Sequence, residues 1–342
     1  MGNRFGKLVR YDLHYGYQDC RLKWFCALLV QIYFVNAAYQ GCSMEEGTVG
    51  VVGYLTWLFS GRPEYFVVET GRFELPVPWL MLHGCLLFLV GFYPANDLMR
   101  SGGQAFVRSG RRRNWLLGKA VWAVGTVTAY YVCLTVVLML GVLLAEGGTL
   151  LAGEQVLVGE GGVLQAGEQV LVGEDGALLA GEQVMQTEGE IVLAGERTLQ
   201  AGERTLPAEG QALIEEWFIG SPEALEFLFG IPIAEMGRAE IFLSWWLEPF
   251  LVSVALCLTE MVLSLLLEPA VALFVMLGYL TASVFWTTPG LLGNYAMLLR
   301  QDFWSGNRAV SFSNCMIGCV MCSVLALLAG IRYVRNKDVF IA

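Results

Sequence analysis

Charge is scarce in this sequence of 342 residues. Asp, Glu, Lys and Arg together make up only 15% of the chain, whereas 56% of it is hydrophobic. A chain this long and this apolar does not form a soluble globular domain, because it has too few polar side chains to cover its surface. The composition therefore predicts a protein whose solvent is the lipid bilayer.

Motifs for catalysis and nucleotide binding are also missing. The sequence has no Gly-x-x-x-x-Gly-Lys-Ser/Thr phosphate loop, no His-Glu-x-x-His pair and no Gly-x-Ser-x-Gly elbow. These absences exclude an ATP site, a metalloprotease and a serine hydrolase of those types. The nine cysteines lack metal-site spacing, and three of them (Cys315, Cys319 and Cys322) fall within an apolar segment. We expect no enzyme active site, no cofactor and no metal.

Acidic residues are concentrated in one stretch. Residues 146–240 hold 18 acids and three arginines, for a net charge of −15, whereas the rest of the chain carries +5. Such an acidic stretch repels phosphate, which argues against nucleic acid as a partner.

Six apolar segments approach the roughly 20 residues that cross a bilayer: 24–42, 76–95, 117–145, 249–267, 270–286 and 313–333. The third is longer than a span requires, and Glu268-Pro269 leaves only a tight turn between the fourth and fifth. Residues 49–60 are apolar but too short, so we interpret them as interfacial or re-entrant. The sequence predicts an all-α polytopic membrane protein with six transmembrane helices.

Lysine and arginine indicate the orientation of these spans. With the N-terminus inside, 14 of the 21 basic residues fall on the cytoplasmic side, and seven lie outside on longer loops. Positive residues favour the cytoplasmic side, so we expect a multi-pass plasma-membrane protein with both termini in the cytoplasm.

The loop between spans three and four carries a tandem repeat, Leu150 to Leu206, built on seven-residue units that begin Gly-Glu. Glycine at every turn or two disfavours a helix. Short strands joined by Gly-Glu turns and a disordered spacer both remain open. The predicted organisation is a first membrane half (1–145), this extracytoplasmic insert (146–210), an amphipathic segment on the outer membrane face (211–240) and a second membrane half (241–342).

Two regions are candidates for function. Glu260 lies near the middle of the fourth span, where an ionisable group is costly. It is either a polar contact in a transport path or an interhelical hydrogen bond, and His83 in the second span is its candidate partner. The loop 96–118 mixes basic with apolar groups and is either a lipid-binding loop or a docking surface for a cytoplasmic protein; the docking residues are Arg100, Gln104, Phe106, Arg108, Arg111, Arg112, Arg113 and Trp115.

The flanks of the insert resemble the membrane subunit of ABC-2 type transporters, the six-span permeases of Gram-positive bacteria. The resemblance rests on short motifs distributed over residues 1–145 and 240–342: Leu75-Pro76-Val77-Pro78-Trp79, Tyr93, Gly103-Gln104, Arg108-Ser109-Gly110-Arg111 with Trp115 and Lys119, Glu268-Pro269, and Leu292-Gly293-Asn294-Tyr295-Ala296-Met297 with Arg300. The insert lies outside it.

This resemblance implies a homo- or heterodimer of permeases that works with a separate cytoplasmic ATP-binding subunit. It implies that an interfacial helix at 5–17 and the loop 97–113 touch the ATPase, and that 287–312 forms short extracytoplasmic helices. The function expected is export of a substrate that the sequence does not identify. The alternative is a non-transporting membrane scaffold that displays the acidic repeat.

Overall fold

A computed structural model describes residues 2–42, 50–61, 75–99, 112–156, 238–302 and 310–336. The described residues form helices and connecting turns and contain no strand. In chain order the helices are α1 (Gly2–Asp19), α2 (Arg21–Cys42), α3 (Gly50–Phe59), α4 (Val77–Met99), α5 (Arg112–Val156), α6 (Arg238–Phe242), α7 (Glu248–Leu266), α8 (Pro269–Phe285) and α9 (Phe312–Asn336). A π-helical turn, Leu243–Leu247, joins α6 to α7.

Five stretches of helix are long and apolar enough to cross a membrane, by length and composition. They are Arg21–Cys42, Val77–Met99, Arg112–Leu144, Glu240–Leu266 and Phe312–Asn336. For the described residues, the predicted all-α fold is therefore confirmed, and these five helices suggest a multi-pass membrane protein. Helix α8, at 17 residues, and helix α3, at 10 residues, are apolar but shorter.

Chain contacts divide the molecule into two units. The first comprises Met1–Gly141 and Gly220–Ala342 and contains the helical bundle, and the second comprises Val142–Ile219. The described part of the second unit is the end of α5. The amphipathic segment predicted at 211–240 lies outside the described residues up to Gly237.

From Leu150 onward the sequence predicted either strands or disorder. Both predictions are wrong for the first residues of the repeat. The backbone of α5 stays helical through Gly153 to Val156, because extending an existing helix adds a hydrogen bond for each residue fixed. That gain offsets a cost of about 1 kcal/mol for each glycine. The rest of the repeat, 157–206, lies outside the described residues.

The turn predicted at Glu268-Pro269 is confirmed. Helix α7 ends at Leu266, and α8 begins at Pro269. Proline fits the first helical position because its missing N–H would be unbonded there in any case. Glu268 before it has extended backbone angles, φ −63 and ψ 139, as proline requires of the residue that precedes it.

One end of the bundle, which we call the α1 end, gathers four segments. Asp12 of α1, Asp97 near the end of α4 and Lys119 near the start of α5 meet there. Arg112 at the start of α5 donates a hydrogen bond to the backbone oxygen of Arg335 at the end of α9, 3.0 Å away. The N-terminal helix, the two flanks of loop 100–111 and the end of the last helix therefore share one end of the bundle.

The opposite end is closed by the chain that follows α8, and we call residues 286–302 the cap. Two 3-10 turns (Leu292–Ala296 and Leu298–Arg300) lie in it, which agrees with the short helices expected there. Trp79 at the start of α4 donates to the Ala296 backbone oxygen, 3.0 Å away. The Leu299 amide donates to Ser60 just after α3, 3.1 Å away. The cap thus joins α3 and α4 to the end of α8.

Candidate functional site

The α1 end contains a buried ionic cluster made of Asp12, Tyr93, Asp97 and Lys119. Lys119 Nζ lies 2.6 Å from Asp12 Oδ1 and 2.6 Å from Asp97 Oδ2. It also donates to Tyr93 Oη, 3.0 Å away, and Tyr93 Oη donates in turn to Asp12 Oδ1 at 3.3 Å. The three charged side chains are at most 2% exposed, so the cluster ties α1, α4 and α5 together away from water.

The two contacts of Lys119 differ in kind. The contact with Asp12 has hydrogen-bond geometry, whereas the contact with Asp97 does not, although the distances are equal. We therefore treat the Lys119–Asp97 contact as an electrostatic one. Asp12 Oδ2 and Asp97 Oδ1 have no hydrogen-bond partner in the described ranges, so these ranges leave the carboxylates incompletely satisfied.

The cluster carries more acid than base, with two carboxyls and one ammonium. Burial raises the pKa of Asp12 above its ordinary value, while the Lys119 ammonium opposes this rise and the Asp97 carboxylate adds to it. Lys119 also lies 4.1 Å from the centre of the Tyr93 ring, where the negative face of the ring attracts a cation. The Lys119 ammonium is therefore central to the cluster, because every other member contacts it.

Glycines bring α1 close enough to α5 for these contacts. A Cβ atom on Gly118, next to Lys119, would lie 2.7 Å from Asp12 Oδ2. On α1, a Cβ on Gly16 would overlap the indole of Trp122. Both positions thus require the absence of a side chain, and small residues at a helix contact allow such an approach in membranes.

Most of the predicted docking residues are outside the part of the chain that the structure describes: Arg100, Gln104, Phe106, Arg108 and Arg111. Arg113 is exposed at the start of α5, and Arg112 binds the end of α9. Trp115, by contrast, is 0% exposed, and its ring lies 5.5 Å from Lys119 Nζ. Trp115 therefore belongs to the interior beside the ionic cluster and not to a contact surface, which corrects its assignment.

Glu260 is fully buried on α7, as expected for an acid in the middle of a span. Neither carboxyl oxygen has a hydrogen-bond partner among the described residues, so these residues do not form the interhelical hydrogen bond considered from the sequence. The carboxyl instead lies against Gly91 of α4, where a Cβ atom would overlap it. Burial without partners distinguishes Glu260 from Asp12 and Asp97, which lie beside a lysine. Glu248, which is 3% exposed, likewise has no hydrogen-bond partner for its Oε2 atom among the described residues.

His83 and Glu260, the candidate pair, do not bond to each other. His83 Nδ1 donates to the Trp79 backbone oxygen, 2.8 Å away, and its Nε2 atom has no partner. The His83 ring lies near Phe59 and Trp79, with ring centres 5.9 and 4.9 Å apart. Beside it, Tyr131 Oη and Ser253 Oγ are 2.9 Å apart and join α5 to α7.

Arg300 anchors the cap. Its guanidinium, 2% exposed, donates to the backbone oxygens of Ser283 and Val284 at the end of α8 and to Asn294 Oδ1, 2.5 Å away. Cations stabilise helix C-termini, where carbonyl groups lack helical partners. These contacts give Arg300 an architectural role.

The comparisons give no relative for this chain. No family model, no curated protein and no solved structure matches it.

The sequence interpretation missed Asp12 and did not assign Asp97 and Lys119 to a cluster. A signal was present for Asp97 and Lys119, because each is a charge at the edge of an apolar segment, whereas Asp12 lies among other charged residues of the N-terminal helix. The sequence did not indicate which residues would pair, because Asp12 and Lys119 are 107 residues apart in the chain.

Proposed function

We propose that this chain is the membrane permease subunit of an ABC-type exporter, driven by a separate cytoplasmic ATPase subunit. The observation that carries this proposal is the ionic cluster, which joins α1 to both flanks of loop 100–111. Asp97 lies before that loop and Lys119 after it. A partner that pushes on α1 or on the loop therefore moves α4 and α5 together.

Exposed charge at the α1 end supports a contact with another macromolecule. Lys7, Arg10 and Arg113 are all exposed there, and they are positively charged. In the proposed complex these residues, with loop 100–111, face acidic groups on the ATPase. Trp115 then acts from the interior, by holding Lys119 in place.

Six crossings fit this role better than five. Val262 near the end of α7 and Leu116 near the start of α5 both lie within 3 Å of a Cβ placed on Gly330, so α7 ends towards the α1 end. Helix α8 starts after a two-residue connection and finishes at the cap, where Arg300 binds its last carbonyls. Its 17 residues rise about 26 Å, close to the roughly 30 Å of a bilayer core.

With α8 as a span, six helices bring both chain termini to the side of loop 100–111. This proposal assigns that side to the cytoplasm of a plasma-membrane protein, because basic residues favour the cytoplasmic side. The permease acts as a homo- or heterodimer in this proposal. The acidic insert then lies outside, and it is not needed for coupling to ATP.

The test is affinity purification of the tagged chain from its native membrane in mild detergent. We expect a soluble subunit with a Gly-x-x-x-x-Gly-Lys-Ser/Thr loop, identified by mass spectrometry, and ATP hydrolysis by the purified complex. The paired substitution Phe106→Asp with Arg108→Asp should release that subunit. The pair Arg72→Asp with Phe73→Asp, expected on the opposite side of the membrane, is the control and should retain it.

Monodisperse protein without any such subunit would contradict the proposal. The scaffold alternative would then make a different prediction: deletion of 150–206 would abolish function, while substitutions in loop 100–111 would have no effect. The two functions therefore differ in which segment is indispensable.

A further inference from the structure

Glu260 is buried, and none of the described residues is its bonding partner. Its side chain is 0% exposed, and within the part of the chain that the structure describes both carboxyl oxygens lack a hydrogen-bond donor. No basic group of the described residues is within ion-pair distance of it. A buried carboxylate is normally paired or bound to a metal, and the described residues offer no group of ligands for a metal.

The groups on the surrounding helices are engaged elsewhere. On α4, His83 donates to Trp79 and Tyr93 to Asp12; on α5, Lys119 binds Asp12 and Asp97. On α8, Tyr279 donates to the Gly290 backbone oxygen. On α9, Cys322 lies 3.3 Å from Thr259, and Arg332 is exposed. Among the described residues, neither a cation nor a hydrogen-bond donor therefore reaches Glu260.

In such a site the neutral form of a carboxyl group is more stable than the ionised form. An ionised group in an apolar interior without partners is unfavourable, whereas the protonated acid carries no net charge. The close fit against Gly91 adds to this, because a methyl group placed on Gly91 would overlap the carboxyl oxygen, so α4 packs directly against it. The packed arrangement of α4 against α7 therefore favours a proton on Glu260.

We propose that Glu260 is a proton-binding site inside the membrane bundle, and that release of its proton separates α4 from α7 at Gly91. The ligand is a proton, held as the O–H of the carboxylic acid. The carboxylate left after release needs water or donors, which reach it only when the contact with Gly91 opens. This site does not depend on an ATPase partner, so it stands or fails separately from the proposed exporter.

Infrared spectroscopy tests the protonation directly. The purified protein should show the carbonyl stretching band of a protonated carboxyl at neutral pH. The difference spectrum between the wild type and Glu260→Gln should contain that band, and the band should shift in heavy water. Glu268→Gln is the matched control, because Glu268 is exposed just beyond the same helix, and it should leave the band unchanged.

Opening is tested through the native thiol of Cys257, which is one turn before Glu260 and 1% exposed. Its alkylation by a membrane-permeant maleimide is followed by mass spectrometry of its peptide as the pH is raised. In the wild type, the labelling rate should rise over the pH interval in which the infrared band disappears. Glu260→Gln cannot release a proton, so its Cys257 should stay protected under the same conditions, at least tenfold slower.

Two results would overturn the proposal. One is an infrared difference spectrum without a protonated carboxyl band, which would mean that Glu260 is ionised in the packed bundle. The other is equal Cys257 labelling in the wild type and Glu260→Gln at every pH. If Glu260→Gln fails to fold, Glu260→Asp provides the second variant, and its shorter side chain should keep the band while moving its frequency.

Discussion

Replacing Lys119 by methionine is the most informative perturbation of the α1 end. The substitution keeps most of the length of the side chain and removes its charge, which leaves Asp12 and Asp97 buried and facing each other without a cation. Removing one partner of a buried ion pair lowers the free energy of unfolding by about 3–5 kcal/mol. We expect a loss in this range for Lys119→Met, because its ammonium lies 2.6 Å from both carboxylates.

The triple variant Asp12→Asn, Asp97→Asn, Lys119→Met separates charge imbalance from lost packing. The triple variant leaves no buried charge without its counter-charge, although its two buried amides still need hydrogen-bond partners. It should therefore be more stable than Lys119→Met. Lys7→Met is the matched control, since Lys7 is exposed on α1, and it should have no measurable effect.

The loss of stability in Lys119→Met should also depend on pH. Because burial raises the pKa of Asp12, the folded chain holds this proton more tightly than the unfolded chain. The protonated acid therefore favours the fold, and this contribution declines as the pH rises from the ordinary value towards the raised one. Lys119→Met removes the ammonium that lowers the pKa of Asp12, so its stability defect should be larger at about pH 8 than at about pH 5.

The assay is equilibrium unfolding in mixed micelles with increasing dodecyl sulfate, followed by circular dichroism. A Lys119→Met protein as stable as the wild type would contradict the expected role of the ammonium. A triple variant as unstable as Lys119→Met would also contradict it, because lost packing and not charge would then cause the loss of stability.

Two further substitutions test other contacts. Gly16→Ala places a methyl group against the indole of Trp122 and should destabilise the docking of α1 by about 1–3 kcal/mol. Faster trypsin cleavage after Arg10 will detect this loss. Gly6→Ala is the control, because space is open around its Cβ, and it should not speed cleavage. Arg300→Met leaves the helix-end carbonyls of α8 without their donor. It should lower the free energy of unfolding by about 2–3 kcal/mol in the same micelle assay. Unchanged stability would show that the cap is held without Arg300.

The positions of the helices could be predicted from the sequence because apolar runs of membrane length have no other stable conformation in lipid. The run 76–95 became α4 (Val77–Met99) and 313–333 became α9 (Phe312–Asn336). The short run 49–60 became the separate helix α3, Gly50–Phe59. Proline at 269 marked the start of α8 for the steric reasons that apply in any helix.

Side-chain partners could not be predicted in the same way. The spacing of apolar residues on a membrane helix does not fix its rotation, because nearly every face is apolar. Trp115 therefore read as a surface residue beside a basic run, although it faces Lys119 in the interior. Glu260 and His83 read as a candidate pair for the same reason, whereas the structure places Glu260 against Gly91.

Photo-crosslinking in native membranes tests the proposed coupling to an ATPase most directly. A photoreactive amino acid at Arg113, which is exposed at the α1 end, should crosslink a soluble subunit whose peptides include a Gly-x-x-x-x-Gly-Lys-Ser/Thr loop. The same amino acid at Phe274, 72% exposed in the middle of α8, should give lipid adducts and no such subunit. Absence of an ATP-binding subunit from the Arg113 products, in membranes where the chain is folded, would contradict the exporter.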